Sequence, residues 1–327
     1  MLKKIILIFV SIIFAFPILI ELKLRNFFKK KYYCYYNRFG WADSFCFYIS
    51  LYNKIKNNNF YFALVWDHQK NDMCEFFFDP KKIIKTIIFI PRFIPSRIIE
   101  KLLNKFHSFP MTLNQKQKKE YYVSRNTNKV RDFLKKKINL KKNNNLFYLK
   151  KEKYVCFYFR YIKKAKGILR CSTNIKKCYS IIDYLLKNNY KVLLMGYENE
   201  EYLKHVRKQY PIAVKLNKVL FMKDLSPNHN FLDQLFAMQN SKFYCGTAAG
   251  FLSMFYFLKI KALSFDGYKE DAHNHNSLKL IKFLYKKKSV GHLKTEVNET
   301  DLKEKNIIKK TEENSTKEIL ESLKRYI

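Results

Sequence analysis

Glycine and proline each occur only seven times in 327 residues, and arginine only ten times against 54 lysines. Lysine, asparagine, isoleucine, tyrosine and phenylalanine are plentiful instead, the bias of an AT-rich coding sequence. The shortage of arginine bears on the formal net charge of +37. Such a charge first suggests nucleic acid. A surface selected for phosphate would favour the planar arginine fork, which grips phosphate bidentately. Here the cations are mostly lysine, are spread along the whole chain and accompany no DNA- or RNA-binding motif. No nucleic-acid partner is therefore expected, and attraction to an anionic membrane surface is the expected consequence of the charge. The seven cysteines are odd in number and contain no Cys-x-x-Cys pair. That argues against a disulfide framework or a zinc ribbon and for buried free thiols in a reducing compartment. His273 and His275 are spaced for neither a helix face nor a zinc site, so no metal is expected; His292 carries no evident chemistry.

The same scarcity gives weight to the residues that remain. Gly40, Gly196, Gly246 and Gly250 fall at strand ends or helix starts, and Arg160 and Arg170 flank one loop.

Hydrophobic residues make up 48% of the chain, which excludes disorder for most of it. Its length suits two domains of about 100–150 residues each. Residues 1–31 open with a short basic stretch, Met1–Lys4. An apolar run from Ile5 to Ile20 follows, interrupted only by Ser11 and closed by Glu21, Lys23 and Arg25. The run is marginal for a bilayer span, which takes about 17–25 residues. No small-x-small cleavage site follows, which disfavours a signal peptide; a buried N-terminal helix is the other alternative. An uncleaved anchor in the inner (cytoplasmic) membrane is the expectation. Lys23, Arg25 and Lys29–Lys31 outweigh Lys3 and Lys4, so the positive-inside rule puts the main body in the cytoplasm.

Residues 32–145 read as one α/β domain. Tyr32–Asn37 and Phe60–Trp66 are apolar strands. Between them, Phe45, Tyr48, Ile49, Tyr52 and Ile55 have helical spacing over Ser44–Lys56. Strand–helix–strand at this length predicts a parallel pair. Ile83–Ile90 is a third strand closed by Pro91, Ile94–Phe106 a helix, and Tyr121–Lys137 another helix leading to a polar boundary at Lys141–Asn145. Gly40 and Asp43 occupy the first strand–helix loop, on the edge where open α/β sheets bind ligands. Asp43 is either a helix cap or a general base for an acceptor hydroxyl.

Residues 146–293 alternate strands and helices again. Tyr154–Phe159 is a strand ending at Arg160. A basic loop with Gly167 and Arg170 leads to a helix over Ile175–Leu186, capped by Thr173 or Asn174 and stopped by Asn188-Asn189. Lys191–Met195 is a strand closed by Gly196, Glu200–Gln209 a short amphipathic helix, and Ile212–Leu216 a short third strand. Asn230 caps a helix to about Asn240. Lys242–Cys245 is a strand, Phe251–Leu258 a helix, and Ile260–Phe265 a strand ending at Asp266-Gly267. The pattern predicts a second doubly wound, Rossmann-like domain. In the charged tail, residues 294–327, Ser315 and Glu318 have capping-box spacing before a closing helix.

Gly246-Thr247-Ala248-Ala249-Gly250 stands between a strand and a helix. Small residues there let a ligand approach the backbone, and a helix start offers free N–H groups to a phosphate; close packing explains such turns equally well. Arg160, at the carboxyl end of its domain's first strand, is placed to hold a diphosphate bidentately. Arg170 either adds a second charge or is a solvated loop residue. Gly40, Gly196 and Asp266 are further candidates along the same edges.

Several stretches resemble a family of bacterial GT-B glycosyltransferases with a heptosyltransferase-like or fucosyltransferase-like layout. They are Arg160, then Arg170-Cys171-Ser172 through Tyr179, Val192 to Gly196, Phe243 to Gly250 with Asp233 ahead of it, and Gly291-His292-Leu293. The likeness covers about a third of the chain well; Tyr161 stands where an acidic residue is common. The resemblance implies two Rossmann-like domains facing each other across a cleft. It also implies a nucleotide-sugar donor as substrate, no separate cofactor, and a glycan or lipid-linked envelope or capsule acceptor. No Asp-x-Asp motif of the kind used by metal-dependent GT-A enzymes occurs. A sugar-nucleotide epimerase on the same fold and a non-catalytic basic membrane-surface protein are the alternatives.

Overall fold

The computed structural model describes three strands and scattered helical positions between residues 6 and 24 in the first half. In the second half it describes residues 127–140, 144–161, 172–196, 201–228, 230–249, 251–267, 281–285 and 313–327. The chain divides into two units, Met1–Tyr121 and Tyr122–Ile327. The sequence had put the division at Lys141–Asn145. It falls earlier because the intervening helix, α1 (Thr127–Leu140), packs within the second unit.

In the first unit β1 (Tyr32–Tyr36), β2 (Phe60–Trp66) and β3 (Ile83–Phe89) form a parallel sheet in that order. Tyr32 pairs with Tyr61, and Phe60 with Ile83. Parallel neighbours need crossover connections. The expected helices over Ser44–Lys56 and Ile94–Phe106 lie outside the described residues, as do Gly40 and Asp43. Among the described residues no helix is long and apolar enough to cross a membrane. Ile6, Phe9, Ile12, Ile13, Phe16, Ile20 and Leu24 are helical positions with exposed side chains.

The second unit is built on six parallel strands: β4 (Tyr154–Tyr158), β5 (Lys191–Leu194), β6 (Val219–Phe221), β7 (Tyr244–Thr247), β8 (Ala262–Gly267) and β9 (Ile281–Tyr285). Their order is β6-β5-β4-β7-β8-β9, the 3-2-1-4-5-6 arrangement of doubly wound folds. β4, β7 and β8 are buried throughout. Central parallel strands are covered on both faces, so they read as unbroken apolar runs rather than alternating ones.

The remaining elements are α2 (Ile175–Lys187), α3 (Glu201–Gln209), α4 (Pro211–Lys215), α5 (Met222–Leu225), α6 (Phe231–Asn240), α7 (Phe251–Leu258) and α8 (Thr316–Leu323), with a 3-10 turn at Asn144–Lys151. α1, α6, α7 and the turn pack among themselves, while α8 packs on α2 and β8. Arg131 of α1 is buried, and its Nε donates to the Phe257 carbonyl at 2.8 Å. That carbonyl sits in the last turn of α7, where helix carbonyls lack intrahelical donors. Asn174, Asn230 and Ser315 cap α2, α6 and α8, the last with a complete capping box.

Candidate functional site

The strand order reverses between β4 and β7, which pair directly through Cys156–Tyr244 to Tyr158–Gly246. At such a switch point the flanking crossovers leave toward opposite faces, opening a crevice at the carboxyl ends of the two strands. Arg160 lies two residues past β4 at that edge, and Thr247 closes β7 beside it. The Arg160 N–H donates to Thr247 Oγ1 at 2.9 Å. The Arg160 carbonyl accepts the Ser172 N–H at 2.8 Å, and Tyr161 and Ser172 form a parallel bridge. Both backbone polar groups of Arg160 are thus held. The side chain is exposed, and among the described residues no acceptor meets its guanidinium. Ala248 and Ala249 then lead into α7, whose first turn follows β7 closely.

Gly196 closes β5 with φ of 108°, a left-handed conformation that calls for glycine. Gly246 is set by packing: a Cβ there would stand 2.2 Å from the Tyr158 carbonyl oxygen and 2.8 Å from the Tyr244 hydroxyl. Thr247 is fully buried; its hydroxyl accepts from Arg160, and its carbonyl accepts the Tyr244 hydroxyl at 2.8 Å. Ala248 is buried and Ala249 half-buried. Arg170 and Gly250, with His273, His275 and His292, lie outside the described residues. Among the described residues no group of His, Cys, Asp and Glu side chains could hold a metal ion.

Asp266 ends β8 on the same edge, but its carboxylate is engaged by the protein. It is fully buried with φ of 54°. Its Oδ2 accepts from Ser172 Oγ, and from Lys177 Nζ at 2.8 Å. Its N–H donates to Asn314 Oδ1 at 2.8 Å, while the Asn314 N–H donates back to Asp266 Oδ1 at 2.7 Å. Lys177 also reaches Glu313 Oε2 at 2.9 Å, and Glu313 Oε1 accepts the Thr173 N–H at 2.6 Å and hydroxyl at 2.8 Å. Burial pushes the Asp266 carboxyl up from its ordinary value, against the opposing pull of Lys177 and Ser172. Burial also works to raise Glu313, but donation from Lys177 and Thr173 outweighs it and holds that carboxyl below its ordinary value. The sequence reading named Ser172 only within the stretch that carries the resemblance, and gave no role to Lys177, Glu313 or Asn314. A lysine beside Cys178 in the apolar stripe of α2 is the one hint the sequence carried.

The second unit therefore belongs to the doubly wound α/β class, with an arginine at its switch point. No known family model matches the chain, and no curated protein does. Among solved structures, the E. coli heptosyltransferase WaaC with ADP is similar at 10% identity and a TM-score of 0.38, over 72% of this chain and 86% of that one. A UDP-GlcNAc 2-epimerase from Methanocaldococcus jannaschii is similar at 12% identity and 0.39, over 87% and 82%. A glycosyl transferase family 9 protein from Veillonella parvula is similar at 6% identity and 0.41, over 78% and 86%. Likeness at these scores assigns no activity to this chain.

Proposed function

We propose that the chain is a metal-independent glycosyltransferase that moves a sugar from a nucleotide-sugar donor to an envelope or capsule glycan or a lipid-linked acceptor. The observation that carries this reading is Arg160, fixed through its backbone at the switch point, with no acceptor on its guanidinium among the described residues. A departing nucleoside diphosphate needs positive charge placed in advance, and a guanidinium beside a helix start supplies it without a metal. In this reading Arg160, Ala248, Ala249 and the α7 start hold the diphosphate, with Arg170 and Gly250 added from the sequence. Thr247 acts by holding Arg160, Gly246 by letting β7 close on β4, and Gly196 by turning the chain out of β5. Asp43, from the Gly40 loop, is the proposed base on the acceptor hydroxyl. The exposed apolar helical positions from Ile6 to Leu24 support association with the inner membrane, the body being cytoplasmic.

Thermal unfolding with ADP, UDP, GDP and CDP tests this reading. At least one is expected to raise the unfolding midpoint, and Arg160→Ala to weaken that ligand roughly tenfold or more, the scale of a lost charge-assisted contact of about 1.4 kcal/mol or more. If folded protein responds to none of the four, the reading fails. Turnover of a nucleotide-sugar without any acceptor would replace it with epimerisation.

A further inference from the structure

Two contacts hold Arg160, and they come from two separate parts of the later sequence. One is the Thr247 hydroxyl on its N–H. The other is the Ser172 N–H on its carbonyl, at 2.8 Å. Ser172 is itself fixed. It is fully buried, and its hydroxyl donates to Asp266 Oδ2. Asp266 is fixed in turn by Lys177 on the same oxygen and by the reciprocal pair with Asn314. Its φ of 54° is left-handed for a residue with a side chain. Such a backbone persists only where several contacts over-determine it. A chain of contacts therefore runs from the C-terminal segment through Asp266 and Ser172 to the backbone of the candidate anion-binding arginine.

We propose that Ser172 and Asp266 are positioning residues for Arg160, and that Asn314, from the segment read in sequence as a tail, completes the anion site through them. The proposal rests on the diphosphate reading of Arg160. An arginine just past a strand end has many rotamers and a mobile backbone. Fixing both of its backbone polar groups leaves only side-chain torsions to order when the anion arrives, which reduces the entropy lost on binding. Ser172 touches no ligand in this arrangement. Its effect on affinity is transmitted wholly through Arg160.

That last point separates positioning from a merely structural role. The dissociation constant of the tightest-binding nucleoside diphosphate is measured for the full chain, for Ser172→Ala, for Arg160→Ala and for the double variant. Ser172→Ala is expected to weaken binding roughly tenfold when Arg160 is present, the scale of a small misplacement of a binding group, and less than about twofold when it is absent. An equal loss in both backgrounds overturns the proposal, as does no loss in either. Asn314→Ala repeats the cycle if Ser172→Ala does not fold. Hydrogen exchange supplies a readout without ligand: the amides of Arg160 and of position 172 are expected to exchange faster in Ser172→Ala and in Asn314→Ala. Unchanged exchange in both overturns the clamp. If the wild-type chain binds no nucleoside diphosphate, the donor reading falls, and the exchange result alone decides whether the clamp exists.

Discussion

At the scale of single residues, a glycine-poor chain shows which glycines geometry demands. Three helices end with a left-handed residue that is not glycine: Asn189 after α2, Asn217 after α4 and Lys259 after α7. Asparagine tolerates that conformation better than most residues, and the codon bias supplies it. Gly246 has no such substitute. Its missing Cβ is what lets β7 lie against the Tyr158 carbonyl. Backbone cannot swing aside as a flexible side chain can. Gly246→Ala is expected to destabilise the protein by about 3 kcal/mol, measured by denaturant unfolding. A variant as stable as the wild type would return Gly246 to the ligand-approach reading. The sequence had placed this glycine among the diphosphate contacts because a small-residue turn looks alike whether it admits a ligand or a neighbouring strand.

At the scale of elements, what was legible was local. Helix caps at Asn174, Asn230 and Ser315 bond within three residues of themselves, so a short window contains the whole reason for them. Seven of the nine described strands were legible as apolar runs, and β9 (Ile281–Tyr285) was not read at all. One was misplaced: Ile212–Leu216 was read as a strand, whereas Pro211–Lys215 is helical and the strand is Val219–Phe221. Alternating apolar residues over so short a span fit either period. Pro211, at the first turn, pre-sets the helical φ and settles it. Ile212 and Leu216 are then 73% and 58% exposed, where a core strand would have buried them. The polar cluster around Lys177 was illegible because it joins α2, the end of β8 and the approach to α8, and no sequence window spans them. It has a consequence for acid stability. Glu313 is held below its ordinary 4.5. Its ionised form therefore stabilises the fold fully above that value, and the stabilisation is lost as pH falls through the lower folded value. Asp266, raised by burial, has the opposite sign: its burden on the fold eases as pH falls through its raised value. Glu313→Gln is expected to flatten the loss of stability below about pH 4.5, followed by urea unfolding at stepped pH. An unchanged slope would show that Glu313 titrates alike in the folded and unfolded chain.

At the scale of the whole molecule, the parallel sheet of each unit was legible from the alternation of strands and helices, but the strand order was not. Nothing in the sequence says that β7 pairs with β4 rather than with β6. Yet that pairing is what brings Arg160, read as a strand-end residue, into contact with Thr247, read in the turn between a strand and a helix. Charge and apolar exposure also act at this scale, and they lead to different behaviour at a membrane. The net charge of +37 attracts any anionic bilayer. That attraction is long-ranged only while the Debye length is near 10 Å, and it shrinks with added salt as the length falls toward about 3 Å at 1 M. Burial of apolar side chains does not weaken in this way; sodium chloride leaves it nearly intact. If Phe9, Phe16 and the isoleucines around them enter the bilayer, the full chain should stay with phosphatidylglycerol vesicles in sedimentation at both 0.1 M and about 1 M salt. Changing Phe9 and Phe16 together to serine should then make retention salt-sensitive. Release of the unaltered chain by salt alone would mean that charge accounts for the association and that residues 1–31 do not anchor it.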